Sequence, residues 1–235
     1  MKRRLKSLEV ALSAICAVLY ALVGWLSYLG IFTPVFGVVR FWPSVFIPAV
    51  FAVAFSPLVG GLGAAVGIFI SDMLIHGNAL LSLTVGVPAN FLGFYTVGEV
   101  YRRLRRGSVP LLVGELVLSL AVLAILHAWG VVPTDLLVAG SLAGAVTLAF
   151  AAVFRGDNRS VVLAGSTGLL VGSAVIGAGV WAFSQFFTLP TGESSLPLTA
   201  AAAWFVWTYF TEVPFIAVLT PPIVRALRHA KLAWG

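Results

Sequence analysis

Charged residues are scarce in this chain of 235 residues. Asp, Glu, Lys and Arg make up only 9% of it, whereas 60% of the residues are hydrophobic and the mean hydropathy is +1.07. Soluble globular domains carry about 25% charged residues. The composition therefore excludes a soluble fold. A single cysteine, Cys16, also excludes a disulfide within the chain.

Sequence motifs of common enzymes are absent too. The chain has no GxSxG, no HExxH, no Walker lysine motif and no repeated acidic pair. We therefore expect no enzyme and no cofactor, so active transport would need a partner or an ion gradient. Asp72 and His76 stand four residues apart, but two ligands on one helix do not make a metal site. The basic residues lie in short blocks between apolar runs, which is not the pattern of a nucleic-acid-binding surface.

Long apolar runs dominate the chain instead. Most of them approach the ~20 residues that a helix needs to cross a bilayer. The segment 43–56 is long enough only if it is tilted, or if it is a partial helix inside the bundle. We predict an all-α, polytopic transmembrane bundle in a single domain, 1–235, with six to eight spanning helices. The eight segments are 7–30, 43–56, 58–75, 79–101, 109–130, 135–154, 161–188 and 199–224.

The positions of the basic residues predict the orientation. If the N-terminus is cytoplasmic and all eight segments cross, Arg40 is the one basic residue of the 14 that lies outside. Basic residues concentrate on the cytoplasmic side of membrane proteins. We therefore expect a multi-pass protein of the plasma membrane, surrounded by lipid, with both termini in the cytoplasm.

Small residues recur at four-residue spacing in several segments. Gly63 and Gly67 form one such stripe, and Ser13, Ala17 and Ala21 form another on the first segment. Stripes of this kind let helix backbones approach closely. They predict helix contacts, either within the chain or with another subunit.

Polar side chains inside apolar segments are candidate binding residues, because they are costly there. Glu212 lies at the centre of the last segment, with Tyr209 close to it on the helix. It is either a carboxylate that contacts a ligand or proton, or a hydrogen-bonded acid that joins helices. Asn90 lies mid-membrane and has the same two interpretations. Asp72 and Asn78, near the outer end of the third segment, either orient a substrate or belong to a local pair with His76.

Aromatic residues cluster near the outer ends of the last two segments. Trp204, with Gln185 and Tyr209, would form a stacking platform for a flat heteroaromatic ligand, unless it belongs to an interfacial aromatic belt. Arg40 and Trp42 could cover such a platform from the first outer loop. The predicted binding set is Arg40, Trp42, Asp72, Asn78, Asn90, Gln185, Trp204, Tyr209 and Glu212.

The region from Arg40 to Arg106 resembles the substrate-binding S components of energy-coupling factor (ECF) transporters. The matching features are VRFWPS, the run SPLVGGLGAAVG, SDML followed by a turn with Asn78, and the small-residue stripe on the first segment. The likeness covers roughly residues 8–101.

The resemblance implies a subunit that captures a vitamin or another micronutrient from the outer side. A transmembrane coupling subunit and two ATPase subunits would then complete the uptake. Ala17 and Ala21 would face the coupling subunit, and the loop 31–42 would close the site. Two other functions fit the residues: an ion-coupled secondary transporter that uses Glu212, and a non-catalytic membrane sensor or assembly protein.

Overall fold

The computed structural model describes residues 6–29, 35–36, 39–40, 42–104 and 112–234. Within these ranges the chain is a helical bundle, as predicted. The loop before the second helix contains a short antiparallel hairpin, β1 (Val35–Phe36) and β2 (Val39–Arg40). The helices are α1 Ser7–Leu29, α2 Phe46–Ala54, α3 Pro57–Ile75, α4 Ala79–Leu104, α5 Leu112–Ala128, α6 Thr134–Val153, α7 Gly156–Phe186 and α8 Leu198–His229.

Six of these helices are long and apolar enough to cross a membrane: α1, α3, α4, α6, α7 and α8. The protein is therefore a multi-pass membrane protein. Helix α2 has 9 residues, which is about 14 Å at 1.5 Å per residue. A bilayer core is about 30 Å thick, so α2 does not bridge it alone.

Helix α2 nevertheless carries the chain back across the bundle. Gly63 lies against Cys16 and Gly67 against Ala17, so α1 and α3 run parallel. The chain must therefore return between them, and α2 lies on that return path. A Cβ at Gly60 would lie 2.4 Å from the Cβ of Ala52, so α2 packs tightly on α3. The partial-helix interpretation of 43–56 matches this placement.

Small residues set the spacing of the central helices. A Cβ at Gly168 in α7 would lie 2.6 Å from the carbonyl oxygen of Gly93 in α4. A Cβ at Gly177 would lie 2.3 Å from the carbonyl oxygen of Ala201 in α8. Backbones this close leave no room for a side chain. Helix α7 is thus held between α4 and α8 by its glycines.

The small-residue stripe of α1 packs inside the chain. Ala17 and Ala21 are only 2% and 5% exposed, and Ala17 lies against Gly67 of α3. The exposed face of α1 is the opposite one, with Leu22 and Leu26. Of the two interpretations of this stripe, the structure shows the first: the small residues pack against another helix of the same chain. A second subunit could reach α1 only through its leucine face.

One end of the bundle is tied together by polar contacts, and we call it the basic end, defined by Tyr101, Asp157 and Arg228. The Tyr101 hydroxyl donates to Asp157 Oδ1 at 2.5 Å, and Arg228 binds both residues. These contacts join α4, α7 and α8. Shortly after Arg228 in the sequence, the Trp234 N–H donates to the carbonyl oxygen of Ala54, the last residue of α2, at 2.8 Å. In the predicted orientation this end faces the cytoplasm.

Candidate ligand-binding cavity

A cavity opens between α1, α3, α4, α7 and α8, on the side of the bundle away from the basic end. The space open to the centre of a water molecule is about 100 Å³. One water needs about 10–15 Å³ by this measure, so several waters or a small organic molecule fit. The lining residues are Tyr20, Trp42, Ile68, Asp72, His76, Leu81, Val85, Gly86, Ala89, Asn90, Gly93, Phe94, Leu169, Gly172, Ser173, Ile176, Val180, Thr208 and Glu212.

A π-helical turn in α4 shapes one wall of the cavity. It covers Ser82–Gly86 and ends two residues before Pro88, whose missing N–H interrupts the helical hydrogen-bond ladder. Ser82 Oγ donates to Asp72 Oδ2 at 2.7 Å. A Cβ at Gly86 would lie only 2.9 Å from the same oxygen. The π turn therefore brings α4 close against the Asp72 carboxyl.

Asp72 and His76 form the local pair that their spacing allowed, and both line the cavity. His76 Nε2 lies 3.4 Å from Asp72 Oδ1. The other ring nitrogen, Nδ1, accepts the backbone N–H of Asn78 at 3.0 Å. Because Nδ1 accepts, a neutral His76 carries its proton on Nε2, which faces Asp72.

Asn90 combines its two predicted roles. Its Oδ1 accepts the Tyr20 hydroxyl at 2.8 Å, and its Nδ2 donates to the Gly86 carbonyl oxygen at 3.0 Å. The first contact joins α4 to α1, and the second supports the π turn. Asn90 therefore holds the wall together while it lines the cavity.

The opposite wall carries polar groups that have no partner in the part of the chain that the structure describes. Ser173 Oγ on α7 and Thr208 Oγ1 on α8 are buried without a hydrogen bond. Glu212, 6% exposed, has no recorded hydrogen bond or ion pair there either. An unsatisfied buried polar group costs about 1–3 kcal/mol. These three side chains are the part of the wall that a bound molecule would complete.

The structure thus brings four residues of the predicted binding set to one cavity: Trp42, Asp72, Asn90 and Glu212. Asn78 does not line it, because its side chain caps α4 by accepting the Leu81 N–H at 2.9 Å. For Arg40, the backbone lies in β2 and the side chain is outside the described residues.

Three further predicted residues lie away from the cavity. The Tyr209 hydroxyl is 2.7 Å from Ser166 Oγ, on the α7 contact of α8. Gln185 is exposed and donates to the Leu196 carbonyl oxygen at 2.9 Å. Trp204 packs in an apolar cluster that includes Val180 and so lies behind the cavity wall. Tyr209, Gln185 and Trp204 therefore do not line this cavity, and Tyr209 belongs to a different helix contact from the other two.

Several lining residues were not in the predicted set. Thr208 had a signal, because it stands four residues before Glu212 and so shares its helical face. Ser173 follows Gly172 in a glycine-rich packing stripe, which made its hydroxyl look structural. Tyr20 and Phe94 carry no signal in the sequence, because aromatic residues are ordinary in apolar helices.

The described residues contain no group of three His, Cys, Asp or Glu side chains arranged to hold a metal ion. Comparisons of the chain with family models, with curated proteins and with solved structures gave no match. Function must therefore be inferred from the cavity itself.

Proposed function

We propose that this chain is a membrane subunit that captures a small organic molecule from the outer side, in the manner of the S components it resembles. The observation that carries this is the cavity wall, where the Ser173 and Thr208 hydroxyls are buried without a partner among the described residues and lie with the Glu212 carboxyl. Sites for small molecules are mostly apolar, with a few polar groups that fix the ligand's orientation. This cavity has that composition.

Its position supports capture from outside. The cavity is lined by residues at the ends of α3 and α4 that are far from the basic end, among them Asp72, His76 and Leu81. With the basic end in the cytoplasm, the ligand enters from the outer side. Transfer to the cytoplasm then depends on a coupling subunit and ATPase subunits, since the chain carries no ATP-binding motif.

A thermal-shift panel of vitamins on the purified full chain in detergent tests the proposal directly. A molecule that binds only the folded state raises its apparent stability. We expect at least one vitamin to raise the melting temperature in a concentration-dependent way. If no vitamin in the panel shifts the melting temperature, the capture function is contradicted.

Two valine variants on α8 test whether the ligand occupies this cavity. Among the described residues, the Thr208 and Thr220 hydroxyls are both buried without a partner, but only Thr208 lines the cavity. We expect Thr208→Val to weaken ligand binding about two- to tenfold, the value of one lost hydrogen bond of about 0.5–1.5 kcal/mol. Titration of each purified variant with the stabilising vitamin measures this.

Thr220→Val is the matched control, because it makes the same chemical change on the same helix outside the cavity. It should leave the affinity unchanged, and neither variant should lower the melting temperature of the free protein. Equal losses of affinity in both variants would place the ligand elsewhere.

Glu212 also favours a second candidate, an ion-coupled transporter. A buried carboxyl with no cationic side chain near it in the described part of the chain is suited to bind and release a proton during transport. Proteoliposomes that contain only this chain distinguish the two functions. Uptake driven by a pH gradient without ATPase subunits, and abolished by Glu212→Gln, would identify the carrier; ligand binding without uptake identifies the capture subunit.

A further inference from the structure

The cavity is acidic as well as apolar. Two carboxyl groups line it, Asp72 on α3 and Glu212 on α8, and its described lining includes no lysine or arginine. His76 is the one basic side chain in that lining, and its Nε2 already lies against Asp72. The ionisable side chains that the described lining offers to a ligand are therefore mainly acidic.

The two carboxyl groups differ in what surrounds them. Asp72 accepts the Ser82 hydroxyl and lies against His76. Glu212 has no recorded partner in the described part of the chain, and the nearby Tyr20 hydroxyl is directed to Asn90. A carboxyl group in an apolar interior is stabilised by a cation or by hydrogen-bond donors. Glu212 can therefore take a hydrogen-bond donor from a ligand, and a cationic donor would also stabilise its ionised form.

Three aromatic side chains form the wall beside these carboxyl groups. Tyr20 packs edge-to-face on Trp42, with ring centroids 6.3 Å apart, and on Phe94 at 6.0 Å. All three line the cavity. Aromatic rings attract cations, most strongly where water is excluded. The apolar wall and the acidic groups thus favour the same class of ligand.

We infer that the molecule captured in this cavity is a small organic cation, with its charge against Glu212 and its apolar body against Tyr20, Trp42 and Phe94. This rests on the proposed function, because it requires that the cavity binds a ligand. An anion would place its charge beside two carboxyl groups, whereas a cation would give Glu212 a counter-charge that favours its ionised form.

Two sets of probes, matched in shape and different in charge, test this. One set is N1-methylnicotinamide (cation), nicotinamide (neutral) and nicotinate (anion). The other is tyramine (cation), tyrosol (neutral) and 4-hydroxyphenylacetate (anion). Calorimetric titration of the full chain in detergent should show the cation of at least one set binding about tenfold or more tightly than its neutral partner, as expected for a charged hydrogen bond.

Two glutamine variants locate the preference. Glu212→Gln keeps the shape and removes the charge, and should reduce the preference for the cation to within about twofold. Glu115→Gln removes a carboxyl from the same bundle that does not line the cavity, so the preference should persist. The melting temperature of each free variant confirms that it is folded.

The outcomes separate this inference from the proposed function. If a neutral or anionic probe binds as tightly as its cation, or if Glu212→Gln keeps the preference, the cation inference is overturned and capture stands. If none of the six probes binds, the vitamins of the thermal-shift panel decide: a cationic vitamin supports the inference, and a neutral or anionic one overturns it. If no probe and no vitamin binds, both are overturned.

Discussion

One hydroxyl group, that of Tyr20, provides a hydrogen bond between two helices. It donates to Asn90 Oδ1 at 2.8 Å and thereby joins α1 to α4 at the cavity wall. We expect Tyr20→Phe to lower the free energy of unfolding by about 1–3 kcal/mol, because Asn90 Oδ1 is left without its donor. Equilibrium unfolding of the purified protein measures the change.

Tyr95→Phe is the control for that experiment. Tyr95 lies on α4, at the border of exposure, and the structure records no hydrogen bond for its hydroxyl among the described residues. Removing this oxygen should change the stability by less than about 0.5 kcal/mol. Equal effects of the two substitutions would contradict the role given to the Tyr20–Asn90 bond.

Single polar residues were the most informative part of the sequence. Glu212 and Asn90 stand out because few polar side chains lie at that depth, and both line the cavity. Tyr209 shows that a spacing of three residues along a helix does not ensure that two side chains face the same cavity. At about 100° per residue, a residue three positions before Glu212 points about 60° away from it, and one four positions before about 40° to the other side. Thr208 therefore shares the cavity with Glu212, whereas Tyr209 meets Ser166.

At the scale of helices, glycine contacts set the stability of the bundle. A methyl group at Gly168 would lie 2.3 Å from Val97 Cγ2 and 2.6 Å from the Gly93 carbonyl oxygen. The backbone of α4 cannot yield easily, so we expect Gly168→Ala to lower the free energy of unfolding by about 1–3 kcal/mol. The melting temperature of the detergent-purified variant should fall.

Gly114→Ala makes the same change where nothing lies within 4 Å of the new Cβ. Alanine is the better helix former by about 1 kcal/mol, so this variant should be as stable as the original chain or more stable. A fall in the melting temperature of both variants would mean that helix contact is not what Gly168 provides.

The helix boundaries differ from their predictions for a consistent reason. Helix α7 begins at Gly156 rather than 161, and α8 ends at His229 rather than 224. Apolar runs mark the part of a helix that lies in lipid, while the helix itself continues into the polar region, where Asp157 and Arg228 pair. The junction of α2 and α3 was sharply predictable, because Ser56 accepts the Val59 N–H and Pro57 starts the next helix.

For the whole molecule, the alternating direction of the helices predicts a labelling pattern. Trp129, after α5, is 75% exposed, and Leu232, beyond the basic end, is 61% exposed. With Trp129→Cys, a membrane-impermeant maleimide should react in intact cells. With Leu232→Cys, it should react only after the membrane is permeabilised.

The native chain provides the background for this measurement, because its one thiol, Cys16, is buried between α1 and α3 and should remain unlabelled. Labelling of Leu232→Cys in intact cells would contradict the cytoplasmic placement of the basic end. Labelling of both variants from the same side would contradict the helix count between them.

Composition was sufficient to predict a bundle of eight apolar segments, but not which of them surround the cavity. The described side chains of α5 and α6 contribute none of its lining, although these helices are as apolar as those that do. In a membrane, lipid-facing and protein-facing sides are both apolar. Hydrophobic periodicity therefore says little about which helices are neighbours, and only the glycine stripes indicated close contacts.

The π turn of α4 amounts to one extra residue in a helix, and this has a consequence for related chains. A relative that lacks one residue within 82–86 would close this turn into an ordinary α-helix, and the residues on either side would face nearly as they do here. Asn90 and Phe94 would still face the cavity, but the widened turn that lies against the Asp72 carboxyl would be lost. The number of residues between Asn78 and Asn90 therefore indicates whether a related chain keeps this wall of the cavity.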